Sequence, residues 1–155
     1  MSLIRSSYHC ECKFCEAKHD WESTWLPVDV VGEFIFELLQ TPRYAQWNIK
    51  VHYSPISAEW NIENKNYDRM NVIANTTYGT NRINAYKIIE ETLNLRDVRI
   101  FDYVEDENGN RKPVLNKKES AIAQGKQEMI KQAFQDWIWK DPHRRERLVR
   151  MYNDK

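Results

Sequence analysis

Five side chains near the start of the chain could bind a metal or act as nucleophiles: His9, Cys10, Cys12, Cys15 and His19. Zinc takes four thiolate or imidazole ligands in a tetrahedron, and Cys10, Cys12, Cys15 and His19 are enough to supply four. Their spacing is not that of a standard finger or knuckle, however, and no second CxxC completes a zinc pattern. Reduced thiols near a chain end are therefore the expected state, and a zinc site is the alternative. A cysteine nucleophile would also need a base placed by the fold, which spacing does not nominate.

A second group is basic. Arg144, Arg145, Arg147 and Arg150 follow Lys140 and His143. Residues three and four apart share a helix face, so Arg144, Arg147 and Arg150 line up. Such a row can neutralise phosphates, and nearby Trp137 and Trp139 are of a type that stacks on bases. The plainer reading is a solvated face over Leu148, Val149 and Tyr152, with Trp137 in the core, and the residues alone favour it. A third group, Tyr78, Thr80 and Arg82, lies in a glycine-bearing loop ahead of a helical pattern, where backbone N–H groups can hold an anion. A plain turn with a capping threonine explains the same residues and is the weightier reading. The chain has no GxxxxGK[ST], GxSxG, HExxH or GxGxxG.

The elements that must position these groups follow from periodicity. Val31, Phe34, Ile35 and Leu38 predict a helix over Asp29 to Gln40, which Thr41-Pro42 ends. Ile49, Val51 and Tyr53 alternate as a half-buried strand; Ser54 to Ser57 reads as a turn and Glu59 to Ile62 as the returning strand. Asn64 to Arg69 reads as a loop, and Val72-Ile73 as a short strand. Thr80 is the expected N-cap of a helix from Asn81 to Asn94. Val98 to Val104 is rich in strand formers, Asn108-Gly109 signals a turn, and Val114-Leu115 returns. A helix from Lys117 to Lys140 should bury Ile122, Met129, Ile130, Ala133, Phe134, Trp137 and Ile138. Asp141 should cap a last helix with Pro142 at its first position. The expected class is α+β, divided into an irregular Cys/His segment (1–22), an α+β core (23–116) and a helical extension packed on that core (117–155).

Bulk composition agrees with a folded chain of 155 residues, 41% hydrophobic and 30% charged. Lys+Arg and Asp+Glu balance at 23 each, yet the stretch from Asn116 onward carries 10 basic against 6 acidic residues. No apolar run approaches the roughly 20 residues that span a bilayer, and no apolar signal core follows Met1. A cytoplasmic protein without membrane contact is expected.

Several word-like blocks carry a resemblance: Ser23-Thr24-Trp25-Leu26-Pro27, Asn75 to Thr80 with Arg82, Asn84-Ala85-Tyr86 and Leu93-Asn94-Leu95. They continue through Val114 to Glu119, Lys126-Gln127, Trp137-Ile138-Trp139, Asp141-Pro142, Arg144-Arg145 and Tyr152-Asn153. From Trp25 to Lys155 the chain resembles a segment of very large DNA-processing proteins of phages, plasmids and conjugative elements. Those polypeptides join an adenine-specific DNA methyltransferase region to a superfamily II helicase region, and the resembling segment lies just before the helicase motor. The methyltransferase signature and the Walker A lysine are missing here, so the resemblance carries no activity across. The segment before Ser23 does not match that family.

The resemblance implies a non-catalytic accessory domain, or a stand-alone remnant of one, that positions the motor on DNA beside neighbouring helicase and methylase domains. Lys140, Arg144, Arg145 and Arg147 are the expected phosphate contacts, with Tyr78, Thr80 and Arg82 second, and no cofactor is expected unless zinc binds. The alternative is a protein-interaction scaffold that docks through the long helix and Trp137/Trp139 without touching DNA.

Overall fold

The computed structural model describes residues 26–153. Two antiparallel hairpins lie among helices, an α+β architecture, and among the described residues the helix Lys117–Lys140 is the longest element. The first helix, α1 (Val28–Leu38), buries Val30, Val31, Phe34 and Ile35. It ends where Gln40 turns left-handed (φ 50°), which lets the Gln40 and Thr41 N–H groups reach back to Glu37 and Phe36. One further turn, α2 (Arg43–Gln46), leads into β1 (Lys50–Ser54), paired with β2 (Glu59–Glu63) in the register Val51–Ile62 and Tyr53–Trp60.

The polar stretch after β2 is structured rather than loose. Asn64 turns left-handed (φ 61°) and starts a 3₁₀ turn, Lys65–Asp68, that buries the Asp68 side chain. The expected strand at Val72-Ile73 is instead a π-type turn, Ile73–Thr77, with the Tyr78 N–H bonded to the Ile73 carbonyl and Val72 exposed. Asn71 makes that turn, because its side-chain oxygen accepts from Ala74 N–H. Gly79 then passes so close that a Cβ there would sit 2.1 Å from the Ala74 carbonyl oxygen.

The central helix also starts later than expected. Thr80 Oγ1 accepts from the N–H groups of Arg82 and Ile83 and so closes a local turn. Asn84 is the N-cap, accepting from Lys87 N–H, and α3 runs Ala85–Leu93. Leu95 ends it in the left-handed region (φ 58°). Two α3-side residues seal the outer edge of β2: Asn94 Oδ1 accepts from Trp60 N–H at 2.7 Å, and Glu90 Oε2 from Ile62 N–H at 2.8 Å. Lys65 and Lys87 each reach Glu90 at 2.9 Å.

Residues 98–100 are not strand. The N–H groups of Val98 and Ile100 go to Gln127 and Ser120 of α4 (Lys117–Lys140), and β3 (Phe101–Glu105) begins only beyond them, pairing with β4 (Arg111–Leu115). This explains the buried stripe of α4, which is Ser120, Ala123, Gln127, Ile130, Phe134, Trp137 and Ile138. Ile122 and Met129, expected inside, are 48% and 46% exposed, because Ser120 and Gln127 take the inward positions to satisfy backbone groups. Phe34 of α1 meets Phe134 edge-on at 5.0 Å and Trp137 at 5.4 Å. Last comes α5 (Pro142–Asn153), capped by Asp141 Oδ1 on His143 N–H, with Leu148 fully buried.

A buried relay ties these parts together. Thr41 donates to the Tyr86 hydroxyl (2.6 Å), which donates to Asp68 Oδ2 (2.5 Å), which also accepts from Asn71 Nδ2 (2.7 Å). Burial and then the Asp68 carboxylate raise the Tyr86 hydroxyl well above its ordinary pKa, so it stays a donor. Tyr86→Phe should cost about 1–3 kcal/mol, read as a lower urea midpoint, because Asp68 loses a buried partner. An unchanged midpoint would show the relay to be energetically idle.

Glu90 gives a pH signature. Burial pushes its pKa up, but the Ile62 N–H, Lys87 and Lys65 outweigh that and hold it below the ordinary 4.5. A carboxylate depressed in the folded state adds stability that is full above its unfolded value and lost as pH falls through its folded value. Glu90→Gln should therefore lower stability near pH 7 by about 2 kcal/mol, with the gap to the native chain closing as pH drops below 4.5. Denaturant titrations across that range check this; parallel pH profiles would contradict it.

Candidate nucleic-acid interface

The arginine row of α5 divides by what each side chain touches. The Arg144 guanidinium lies 3.5 Å from the Trp137 ring centroid and donates to the Trp137 carbonyl at 2.8 Å, with Asp141 at 3.7 Å and Glu37 at 4.0 Å. Trp137 is buried and donates its indole N–H to Glu37 at 2.6 Å, so its face is covered and cannot receive a base. Arg147 forks onto both Asp29 oxygens at 3.0 and 3.3 Å, and that hydrogen bond lowers the Asp29 pKa. Arg144 and Arg147 thus pin α5 to α1. Arg145 lies over the half-buried Trp139 ring at 5.1 Å, while Lys140 and Arg150 are exposed without an ion pair among the described residues. These three are the cations of the row available to an incoming phosphate.

The loop before α3 is occupied by internal bonds. Thr80 closes its turn, Tyr78 is half-buried against the core, and Asn84 takes the Lys87 N–H of the first helical turn. Arg82 clamps the root of the second hairpin: it reaches Asp102 at 2.8 Å, Glu119 at 2.6 Å and the Phe101 carbonyl at 2.8 Å. Two carboxylates already neutralise it, and Asp102 is held below the usual carboxylate range first by Arg82 and then by Asn116. Tyr78, Thr80 and Arg82 act together as a structural joint. Cys10, Cys12, Cys15 and His19 lie outside the described residues. Among the described residues no group of three or more His, Cys, Asp or Glu side chains is placed to hold a metal.

A richer surface lies where the sequence offered no period to read. α2 is a single turn, so Arg43, Tyr44 and Trp47 project from adjacent positions at three- and four-residue steps. Tyr44 is 61% and Trp47 74% exposed. The 3₁₀ segment is tethered on either side of this turn: Asn64 donates to the Asn48 carbonyl and Asn71 to the Leu39 carbonyl. Tyr67, 53% exposed, and the exposed Arg69 come from that segment. Neither Arg43 nor Arg69 has an ion pair among the described residues. Three presented aromatic side chains beside two uncommitted guanidinium groups make a surface that can stack on flat rings and attract a negative backbone. The sequence signal was the pair Tyr44/Trp47 in a proline-bounded turn, too short for a periodicity search.

No helix among the described residues is long and apolar enough to cross a membrane. No curated protein and no solved structure matches the chain. A family model described as a domain of unknown function, DUF8437, matches residues 20–155, and the chain belongs to that family.

Proposed function

We propose that this domain is a non-catalytic, DNA-contacting accessory domain of a helicase–methylase polypeptide, working in the cytoplasm to position the motor on DNA. The observation that carries this reading is that the segment bearing exposed Arg43, Tyr44 and Trp47 is tethered, through Asn64 and Asn71, to the segment bearing exposed Tyr67 and Arg69. Stacking platforms among cations take single-stranded nucleic acid with little sequence preference. Lys140, Arg145 and Arg150 supply a second cationic surface suited to phosphates. The blocks that resemble helicase–methylase proteins support the same assignment and account for a domain that carries no motor or methylase motif of its own. The scaffold alternative docks through the long helix and Trp137/Trp139; of these, Trp137 is packed on Phe34 beneath Arg144 and is not offered to a partner.

The test is a fluorescence-anisotropy titration of the chain with labelled single-stranded, duplex and forked DNA at two salt concentrations. Micromolar binding that weakens steeply with salt is expected. Trp47→Ala should weaken single-strand binding by about tenfold, the scale of one lost base stack. Arg145→Glu with Arg150→Glu should weaken all DNA forms together and flatten the salt dependence. Arg144 and Arg147 are poor reporters, since reversing them would also release α5 from α1. Absence of binding at low salt would overturn the DNA reading.

A further inference from the structure

The second hairpin stands apart from the rest of the fold. Among the described residues β3 and β4 pair only with each other; nine of their ten residues are exposed, and Asp102 alone is half-buried. A two-stranded ribbon with neither face covered is marginal in water; three or more strands with an apolar face are needed. Phe101, Tyr103, Pro113 and Leu115 share one face in the register Phe101–Leu115 and Tyr103–Pro113. Phe101, Tyr103 and Leu115 are 40%, 67% and 42% exposed.

The register also decides which edge of the ribbon is open. Asn116 N–H bonds the Ile100 carbonyl and Asp106 N–H the Asn110 carbonyl, both at 2.8 Å, which fixes bonded pairs at those positions. Antiparallel pairs alternate, so Phe101–Leu115, Tyr103–Pro113 and Glu105–Arg111 are the non-bonded pairs, whose backbone groups point outward. On β4 the central outward position is Pro113, which has no N–H, and that edge is shut. On β3 the central outward position is Tyr103. Among the described residues no side chain bonds the backbone of Tyr103 or Glu105, whereas Asn94 and Glu90 close the corresponding edge of β2.

Charge along the arm identifies what fits this edge. Along the β3 side the charge runs from exposed Arg99 at the root to Glu105, Asp106 and Glu107 toward the turn, while Arg111 and Lys112 lie on the far strand, β4. Two copies lying antiparallel edge to edge along β3 set the acidic end of each β3 edge beside Arg99 of the other, a self-complementary pattern.

We propose that β3 pairs antiparallel with β3 of a second copy, with Tyr103 on the two-fold axis, giving a four-stranded sheet ordered β4–β3–β3–β4. Tyr103 then exchanges backbone hydrogen bonds with Tyr103 of the other copy. The Phe101 N–H donates to the Glu105 carbonyl of the other copy while the Phe101 carbonyl stays with Arg82, and Glu107 lies level with Arg99. The apolar faces of the two arms join into one. This surface is separate from the aromatic turn, so the proposal does not rest on DNA binding.

Sedimentation equilibrium of the full chain without DNA, over a wide concentration range, tests it. The mass should rise from 18.7 kDa to twice that value. Tyr103→Pro removes one outward N–H and spares every β3–β4 bond, so it should yield a monomer with an unchanged circular-dichroism spectrum. Glu107→Arg should weaken the dimer, and adding Arg99→Glu should restore it, which keeps the proposal testable if the proline variant fails to fold. A native chain that stays monomeric throughout overturns it, as does a dimer untouched by both Tyr103→Pro and the charge reversal.

Discussion

The N–H groups of Trp60 and Ile62 point away from β1, and leaving such groups buried without partners would cost about 1–3 kcal/mol each. Asn94 and Glu90 accept both, and in doing so they fix α3 against the first hairpin. Much of the architecture depends on that docking. With α3 in place, its Tyr86 hydroxyl reaches Thr41 and Asp68, and the turns on either side of the hairpin are drawn together. The aromatic surface formed by Tyr44, Trp47 and Tyr67 is therefore held by a rigid interior, although every one of its members lies on a short turn. Sites held this way keep their geometry better than sites on unsupported loops.

Helix α4 does for the second half what α3 does for the first, again with side chains on backbone. Ser120 and Gln127 take the N–H groups of Ile100 and Val98, Gln124 donates to the Val98 carbonyl, and Gln127 donates to that of Arg96. This stitching stops at Ile100, and Arg82 clamps the chain one residue later. Beyond the clamp nine of the ten residues of β3 and β4 are exposed, and the two strands form an arm. The two hairpins thus differ in one respect with consequences: Asn94 and Glu90 close the outer edge of β2, while beyond the Arg82 clamp at Phe101 no described side chain bonds the outer edge of β3.

Long periodic elements were legible in the sequence because their signals are redundant. The helix over Lys117 to Lys140 and its Asp141-Pro142 stop follow from periodicity and capping alone, as does the first hairpin from Val51, Tyr53, Trp60 and Ile62. What the sequence hid were positions where a polar side chain does the work of a backbone partner. Ser120 and Gln127 read as surface residues, so Ile122 and Met129 were assigned inward in their place. Thr80 is a good capping residue by type, but a local turn consumes its hydroxyl, and the cap passes to Asn84, which periodicity did not nominate. The arginine row was visible as composition, but its division into anchors and available cations depends on Asp29, Glu37 and Trp137, which are remote in sequence or face inward. The aromatic turn lay in a stretch too short to have a period.

The central claim is that DNA is met by the aromatic turn and the outward cations of α5, and not by the Arg82 joint or the second hairpin. Backbone amide chemical shifts of the ¹⁵N-labelled chain during titration with a short single-stranded oligonucleotide test it most directly. Shifts concentrated at residues 43–48 and 64–70, with a second group near Arg145 and Arg150, are the expected result. Shifts confined to the β3–β4 arm or the loop around Arg82, with the aromatic turn silent, would contradict it.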